Sequence, residues 1–311
     1  MSRPRVLLHL PRHLAEAARL PRFYQVLAAG LRTRGAQVDV VRRDKDAVLA
    51  GSDVHFVHNG AALGPGVLNC AIAYLNPYFY VDPKGIYFES SLAGAEFDGV
   101  AAPEAQATFD ALVAQYVTPR TSRYKQPVAV ERFPDGAIAV FLQDWSEPVE
   151  RARHMDAQAM VETVIRGAAG RPVIVKPHPR NRGVETVLLL NRLARRHPEV
   201  IVTEANLHDI LAAAAVCVSI SSSVALEAML HRKPVVLFGR SDLHHCAETV
   251  TKAEDWPAAL NRALSVDWPF AAFVDWFARQ NLRTGPAMIG PVLERMRRAG
   301  GDMAALGVAE V

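Results

Sequence analysis

Three potential cations alternate with two prolines in the stretch "VIVKPHPR" (173–180), directly after an apolar, β-branched run. Lys176, His178 and Arg180 would surround the C-terminal end of a strand, and the prolines hold the loop in one shape because their rings fix φ. A rigid loop that carries three cationic groups suits a bound anion. The alternative is a rigid strand exit whose basic side chains are solvated.

A second anion site is predicted in "VCVSISSSVALEAMLHRKPVVLFG" (216–239), which is typical of a strand, a serine-rich turn, a helix and a strand. Ser221, Ser222 and Ser223 stand where the helix begins, and serine caps the free N–H groups there. A helix N-terminus binds anions through those N–H groups and the helix dipole. Glu227 follows near the end of the first turn, where its carboxylate could accept hydrogen bonds from a ribose diol. An ordinary N-cap with a surface glutamate is the alternative.

The elements that would position these residues alternate between short apolar strands and helices, which predicts an α/β fold with a parallel sheet. In such sheets ligands bind outside the C-terminal ends of the strands, and we expect the two anion sites to lie on neighbouring strand ends of one sheet. The predicted strands lie within 6–8, 38–41, 52–60, 71–82, 137–143, 173–178, 199–204, 216–220 and 234–239. The predicted helices cover 23–31, 156–170, 184–197, 206–216, 222–232 and part of the C-terminal tail.

Size and composition predict two domains, because 311 residues of which 50% are hydrophobic can build two cores. A proline-rich and charged stretch, 118–136, is the predicted interdomain linker. The net charge of +3 is far below the excess of a nucleic-acid-binding protein. Three cysteines without metal-ligand spacing, and no secretory or membrane-spanning pattern, predict a cytoplasmic protein.

The segment "GRSDLHHCAETV" (239–250) brings His244 next to a second histidine and a cysteine. Adjacent residues rarely point at one metal, and no second ligand pair stands at zinc spacing, so we predict no metal site. A loop in which His244 closes over a sugar or base is one interpretation, and a solvated loop is the other. The chain contains neither a GxGxxG nor a GxxxxGK[ST] motif.

Taken in order, "IVKPHPRN" and "HDILAAAAVCVSISSSVALEAMLHRKPVVLFGR" resemble the capsule polysaccharide biosynthesis family. The resemblance covers roughly residues 68–250 and includes "FLQDWSE" (141–147) and "YLNPYFYVDPKGIYFESSL" (74–92). The family's best-understood members are β-Kdo (3-deoxy-manno-octulosonic acid) transferases that use a CMP-sugar. The resemblance implies a GT-B type α/β fold, in which two Rossmann-like domains have a cleft between them. We expect an acceptor-side domain at 1–120, a donor-binding domain at 121–285, and a C-terminal helix at 286–311 that packs back across the junction.

The resemblance also implies roles for particular residues. His178 and Pro179 would hold the donor's phosphate with support from Lys176, while Ser222 and Ser223 would add hydrogen-bond donors. The complete expected donor-binding set is Gln143, Lys176, His178, Pro179, Arg180, Ser221, Ser222, Ser223, Glu227 and His244. No cofactor is expected beyond the nucleotide-sugar co-substrate, CMP-Kdo, because a donor with one phosphate can be served by protein cations and helix N–H groups.

A catalytic base must take the proton of the acceptor hydroxyl. Characterised relatives carry an acidic residue just before the aromatic-Leu turn, but this chain has Ala71, Ile72 and Ala73 there. Glu89 and Asp82 are the nearest substitutes, and Asp144 beside Gln143 completes the catalytic candidates.

The expected partners are a nucleotide sugar and a polysaccharide or lipid-linked glycan acceptor. The basic helix within 17–35 could contact the inner membrane peripherally, or it could be an ordinary amphipathic core helix. Two other functions stay open: a CDP-polyol phosphotransferase of the teichoic-acid-polymerase kind, and a non-catalytic nucleotide-sugar-binding protein of capsule assembly.

Overall fold

The computed structural model describes residues 3–16, 19–44, 49, 51–99, 102–144, 147–181 and 183–309. The chain forms two compact units, one from Met1–Glu96 with Phe277–Val311 and one from Phe97–Trp276. The predicted boundaries at residues 120 and 285 fall inside these units rather than at their edges. The segment predicted as a separate C-terminal helix, 286–311, is part of the first unit.

Twelve strands are described. In chain order they are β1 (Val6–Leu10), β2 (Val38–Arg42), β3 (Val54–His58), β4 (Val67–Ile72), β5 (Tyr78–Asp82), β6 (Ala137–Phe141), β7 (Val173–Lys176), β8 (Ile201–Val202), β9 (Ala214–Ser219), β10 (Val235–Leu237), β11 (Glu248–Thr249) and β12 (Leu282–Arg283).

The described α-helices are α1 (Arg12–Ala15), α2 (Arg22–Thr33), α3 (Pro103–Leu112), α4 (Glu147–Ala152), α5 (Ala157–Arg166), α6 (Val184–Arg196), α7 (Leu207–Ala213), α8 (Val224–Leu230), α9 (Trp256–Ser265), α10 (Phe270–Gln280) and α11 (Ile289–Arg298). Short 3-10 turns occupy Tyr87–Glu89, Ser91–Gly94, Asp242–Cys246, Ala253–Asp255 and Pro286–Met288, and Val113–Val117 continues α3 as a π-helix.

The first unit contains a sheet of order β12-β5-β4-β3-β1-β2. Strands β1 to β4 run parallel, whereas β5 pairs antiparallel with β4 and with β12. The stretch 71–82 is therefore not the single apolar segment that the sequence indicated. It holds the end of β4, a turn with a cis Asn76–Pro77 bond, and the reversed strand β5.

The second unit contains a sheet of order β11-β10-β9-β6-β7-β8 in which every neighbouring pair is parallel. The chain leaves β6 toward β7 on one side and later returns to β9 on its other side. Such a reversal is the point where an open α/β sheet forms its ligand crevice. The polar residues that follow β6, β7 and β9 thus share one edge of this sheet.

Each sheet has its own hydrophobic core. In the first unit, α2 and α11 bury apolar side chains against the strands, including Leu27, Leu31, Val292 and Met296. In the second unit, α5 packs the core side chains Met160, Val161 and Val164 against β6 and β7. The side chain of Asp156 caps this helix by accepting from the Ala159 N–H at 2.7 Å. A cap of this kind stabilises a helix by about 1 kcal/mol.

Helix α2 has no exposed apolar face, which does not favour the predicted membrane contact of residues 17–35. Its large apolar side chains, among them Phe23, Tyr24 and Leu27, are buried in the first core, and Gln25 and Arg32 are exposed. Residues 17 and 18 of that segment lie outside the described residues. Measured over the described part of the chain, no helix has both the length and the apolar character needed to cross a bilayer.

Candidate functional site

The end of strand β6 is linked to both predicted loops by one residue, Gln143. Its side-chain amide donates to the hydroxyl of Ser221 at 3.3 Å and accepts from the Ser221 N–H at 2.7 Å. Its backbone carbonyl accepts from the side-chain amide of Asn181 at 3.0 Å. Gln143 therefore fixes the loop after β7 and the loop after β9 to the same strand end.

The two loops flank β6 instead of following adjacent strands. Strands β7 and β9 are the two neighbours of β6, so their ends are separated by two strand spacings, roughly 10 Å. The prediction of two anion sites on neighbouring strand ends was wrong in this respect. An anion held by both loops would lie over the end of β6, next to Gln143.

Lys176 occupies the end of β7 but is directed at a neighbouring loop. Its ammonium group donates to the backbone carbonyl of Glu204 at 2.9 Å, and the side chain is buried. Burial lowers the pKa of Lys176, and the charge of Glu204 opposes this effect. The predicted contact of Lys176 with a phosphate therefore competes with a hydrogen bond that already holds the ammonium.

His178 and Arg180 lie in the loop after β7, with the exposed Pro179 between them. The backbone N–H of Arg180 donates to Nδ1 of His178 at 3.3 Å. Because Nδ1 accepts this hydrogen bond, a neutral His178 carries its proton on Nε2. Desolvation lowers the pKa of His178, which favours the neutral ring with Nε2 as its donor atom.

Asp144 pairs with Arg180 across the site. Its carboxylate lies 3.4 Å from the guanidinium, and both side chains are more than a third exposed, so the pair stabilises the fold by less than about 1 kcal/mol. Its predicted catalytic role stays a prediction. Trp145 and Ser146 of the predicted strand end lie outside the described residues.

The serine turn after β9 is held mainly by local hydrogen bonds. The Ser222 N–H donates to the hydroxyl of Ser219 at 3.3 Å, and the Ser222 hydroxyl accepts from the Val224 N–H at 3.4 Å. Ser223 occupies the N-cap position of α8 without a side-chain capping bond. Capping of α8 thus falls to Ser222, whereas Ser221 is bound to Gln143.

Glu227 is buried rather than being a surface glutamate. Only 1% of the residue is exposed, and its carboxyl forms a hydrogen bond with the side chain of Ser122. Its Oε1 atom is buried and has no hydrogen-bond partner. Desolvation raises the pKa of Glu227 to about 7. A buried carboxyl oxygen without a partner can accept a hydrogen bond from a ligand, such as the ribose hydroxyl expected from the sequence.

Asp82 belongs to the first unit, and its carboxylate organises the turn that follows β5. One oxygen accepts from the N–H groups of Lys84 (2.8 Å) and Gly85 (3.1 Å), and the other accepts from the N–H (2.9 Å) and hydroxyl of Ser91. Asp82 is also buried. With both oxygens occupied in this way, Asp82 acts as a structural carboxylate, which does not favour its predicted role as a base.

Glu89 lies on the 3-10 turn Tyr87–Glu89 and is half-buried. It follows a small aromatic cluster in which the Tyr74 and Tyr87 rings are 5.2 Å apart. Ala71 of β4 and Ala73 directly after it, at the position where the resemblance implies an acid, are buried. The catalytic role of Glu89 stays a prediction.

His244 lies on the 3-10 turn Asp242–Cys246 and is exposed, with its ring 4.0 Å from that of His245. In the part of the chain that the structure describes, no group of three or more His, Cys, Asp or Glu side chains could hold a metal ion. The loop interpretation of His244 stays a prediction.

Sequence reasoning missed the aromatic and basic residues that precede β6. Tyr124 contacts His178 edge-to-face, with ring centroids 5.0 Å apart, and Arg123 and Ser122 lie beside it. Their signal was present as an aromatic residue between cations in "TSRYKQ", inside the stretch interpreted as a linker.

Residues 150–245 match the family model described as "Capsule polysaccharide biosynthesis protein". The matched segment contains the loop after β7 and the serine turn, so the predicted resemblance to this family is confirmed there. A comparison with curated proteins finds no match.

Two solved structures from Thermosulfurimonas dismutans resemble most of the chain. One is "KpsC, beta Kdo 2,7 transferase", at 12% identity and a TM-score of 0.59, with 96% of this chain and 98% of that chain covered. The other is "KpsC, beta Kdo 2,4 transferase", at 17% identity and a TM-score of 0.52, with 89% and 99% covered. At these identities the similarity concerns the fold, and the prediction of two Rossmann-like units is confirmed.

Proposed function

We propose that this protein is a glycosyltransferase that moves an acidic sugar, Kdo or a close relative, from a CMP-activated donor to a capsular or other surface polysaccharide. The observation that carries the proposal is the linkage, through Gln143, of two anion-suited loops that both lie within the segment that matches the capsule family. The two KpsC structures, which are titled as β-Kdo transferases, support the same chemistry.

Departure of CMP leaves negative charge on its phosphate, and a transferase must stabilise that charge as the bond to the sugar breaks. A neutral His178 donates from Nε2, and Arg180 adds a full positive charge beside it. On the other side of β6, hydroxyl groups of the serine turn supply further donors. These groups would hold a single phosphate, and Glu227 would accept from the ribose.

The acceptor hydroxyl must also lose a proton. Asp82 has both carboxylate oxygens bound within its own turn, and Asp144 is paired with Arg180. Glu89, the acid that the sequence offers nearest to the expected position besides Asp82, is the proposed base.

Calorimetric titration with CMP and UDP tests nucleotide binding. We expect CMP to bind the wild-type protein and His178→Ala to weaken binding at least tenfold, because a hydrogen bond to a charged phosphate is worth about 1.5–3 kcal/mol. His197→Ala is the matched control, since His197 lies at the end of α6 and pairs with Glu199. Absence of binding to either nucleotide would remove the proposal.

A second function is favoured by the buried alanines at the expected position of the base: the protein would bind a nucleotide sugar without transferring it. Release of CMP from CMP-Kdo in the presence of glycan acceptors separates the two. Transfer that is lost in Glu89→Gln while CMP affinity is retained supports the enzyme. Binding of CMP-Kdo without release of CMP, in the wild type and in Glu89→Gln alike, supports the non-catalytic nucleotide-sugar-binding protein. Tighter binding of CDP-glycerol than of CMP would indicate a polyol phosphotransferase instead.

A further inference from the structure

Residues 120–131, named here the strap, are fixed to the second unit at the start of helix α7. The guanidinium of Arg120 donates to both carboxylate oxygens of Asp209, at 2.7 and 3.0 Å. The side-chain amide of Asn206 donates to the carbonyls of Arg120 (3.2 Å) and Pro127 (3.1 Å). A free linker would make no such set of bonds, so the linker interpretation was wrong for this segment.

Further bonds fix the strap near both of its ends. Near the beginning, Nε2 of His208 lies 2.8 Å from the carbonyl of Thr121. Near the other end, the Leu207 N–H donates to the side chain of Gln126 at 3.2 Å, and the Glu131 N–H donates to Asp209 at 2.9 Å. The residues between these anchors, 122–125, are held in place on either side.

The middle of the strap meets the loop after β7. The ring of Tyr124 is in edge-to-face contact with His178, and the guanidinium of Arg180 lies 4.9 Å from the centre of the same ring. The guanidinium of Arg123 lies 5.7 Å from that centre. One aromatic ring thus contacts an imidazole and two guanidinium groups, at distances typical of cation–π interactions for the two arginines.

More cations than carboxylates act on His178. Arg123, Arg180 and Lys176 act on it as cations and Asp144 acts on it as a carboxylate, whereas Glu204 and Glu131 act in turn on Lys176. The two arginines are opposed by a single carboxylate, Asp144, and a bound anion relieves the repulsion between them. The imbalance suits an anionic ligand, and Arg123 lies beside the same Tyr124 ring that Arg180 contacts.

We propose that Arg123 of the strap binds the phosphate of the nucleotide, and that Tyr124 is a positioning residue that holds His178 and Arg180 toward the same phosphate. This inference rests on the proposed function for the identity of the ligand, but the anion site itself does not depend on it. It adds to the site two residues that precede β6.

The test for Arg123 compares CMP with cytidine, which lacks the phosphate, by calorimetry on the full chain. We expect Arg123→Ala to weaken CMP binding at least tenfold and to change cytidine binding less than twofold. Lys125→Ala is the matched control, because Lys125 is an exposed cation on the same strap and its removal changes the net charge equally. Equal weakening by both variants, or equal effects on CMP and cytidine, would overturn the role of Arg123.

A second measurement separates this inference from the proposed function. Inorganic phosphate is titrated while the ring resonances of His178 are followed by NMR. We expect saturable shifts in the wild type and at least tenfold weaker binding in Arg123→Ala, even if no nucleotide binds. Ring resonances that phosphate leaves unchanged would overturn the anion site, whereas phosphate binding without CMP binding would overturn the proposed function alone.

Tyr124 is tested by the titration of the same histidine. Tyr124→Ala removes the ring that covers His178, so the pKa of His178 should rise toward its ordinary value, with weaker CMP binding. Tyr124→Phe keeps the ring and should restore both properties. A titration of His178 that is identical in Tyr124→Ala and the wild type would show that Tyr124 does not position it.

Discussion

Replacement of Glu227 by glutamine should stabilise the protein at alkaline pH while weakening nucleotide binding. The carboxyl is 1% exposed, its Oε1 has no hydrogen-bond partner, and its pKa is raised to about 7 because burial disfavours the charged form. Glutamine has nearly the same shape and cannot ionise. It therefore removes the cost of burying a negative charge.

The magnitude follows from proton linkage. The folded protein holds the Glu227 proton more tightly than the unfolded chain, so the associated stability is complete below pH 4.5 and is lost as the pH rises through about 7. Shifting a pKa from 4.5 to about 7 corresponds to about 3 kcal/mol. At pH 8.5, Glu227→Gln should exceed the wild type in free energy of unfolding by up to about 3 kcal/mol. At pH 4.5 the two proteins should differ little.

Urea denaturation at several pH values between 4.5 and 8.5 measures this difference, with Glu185→Gln as the control because Glu185 is exposed in the first turn of α6. Calorimetry with CMP and 2′-deoxy-CMP measures the functional effect. We expect the wild type to prefer CMP and Glu227→Gln to lose most of that preference. A stability difference that does not change with pH would refute the argument from the buried charge. An unchanged ribose preference would refute the role of Glu227 in binding.

Three further substitutions test separate parts of the structure. Gln143→Leu leaves the Ser221 N–H without its acceptor, so it should lower the free energy of unfolding by about 1–3 kcal/mol in denaturation and weaken CMP binding in calorimetry. Asp82→Asn removes a charged acceptor of four hydrogen bonds and should destabilise the first unit by about 2–3 kcal/mol, as thermal unfolding would show. Burial and the neighbouring His208 lower the pKa of His231 to about 4 in the folded protein. The unfolded chain therefore binds this proton more tightly, and the contribution of the neutral ring to the free energy of unfolding is complete above pH 6.5. That contribution should fall by up to about 3 kcal/mol as the pH approaches 4. The slope of unfolding free energy against pH should be shallower in His231→Ala, and an equal slope would contradict the assignment.

The second sheet could be predicted because each of its main strands is a short apolar run bounded by turn residues. The run at 173–175 and the run at 216–218 both end in polar loops, and both became strands of one parallel sheet. Strand order was beyond the sequence, because apolar runs look alike whichever neighbour they pair with. This is why β6 was not foreseen between the two loops.

The first unit was harder to predict because local pattern and tertiary pairing disagree there. A continuous apolar stretch, 71–82, gives no periodicity that separates β4 from the antiparallel β5. Asp82 illustrates the same limit for function: a carboxylate near an aromatic turn is a reasonable catalytic candidate until its hydrogen bonds to Lys84, Gly85 and Ser91 are known. Sequence identifies the residue type, whereas the hydrogen-bond partners decide what it is able to do.

The strap residues could not be predicted from strand ends, because they precede β6 and do not follow a strand. Ser122, Arg123 and Tyr124 are consecutive. Ser122 acts on the carboxyl of Glu227, the candidate ribose acceptor. The charge of Arg123 acts on His178, and the ring of Tyr124 contacts the His178 ring. The strap therefore lies beside both groups that are proposed to bind the nucleotide, the carboxyl of α8 and the imidazole of the loop after β7. Composition alone, rich in proline and charge, could not distinguish such a segment from a linker, because the same residues solvate a free chain.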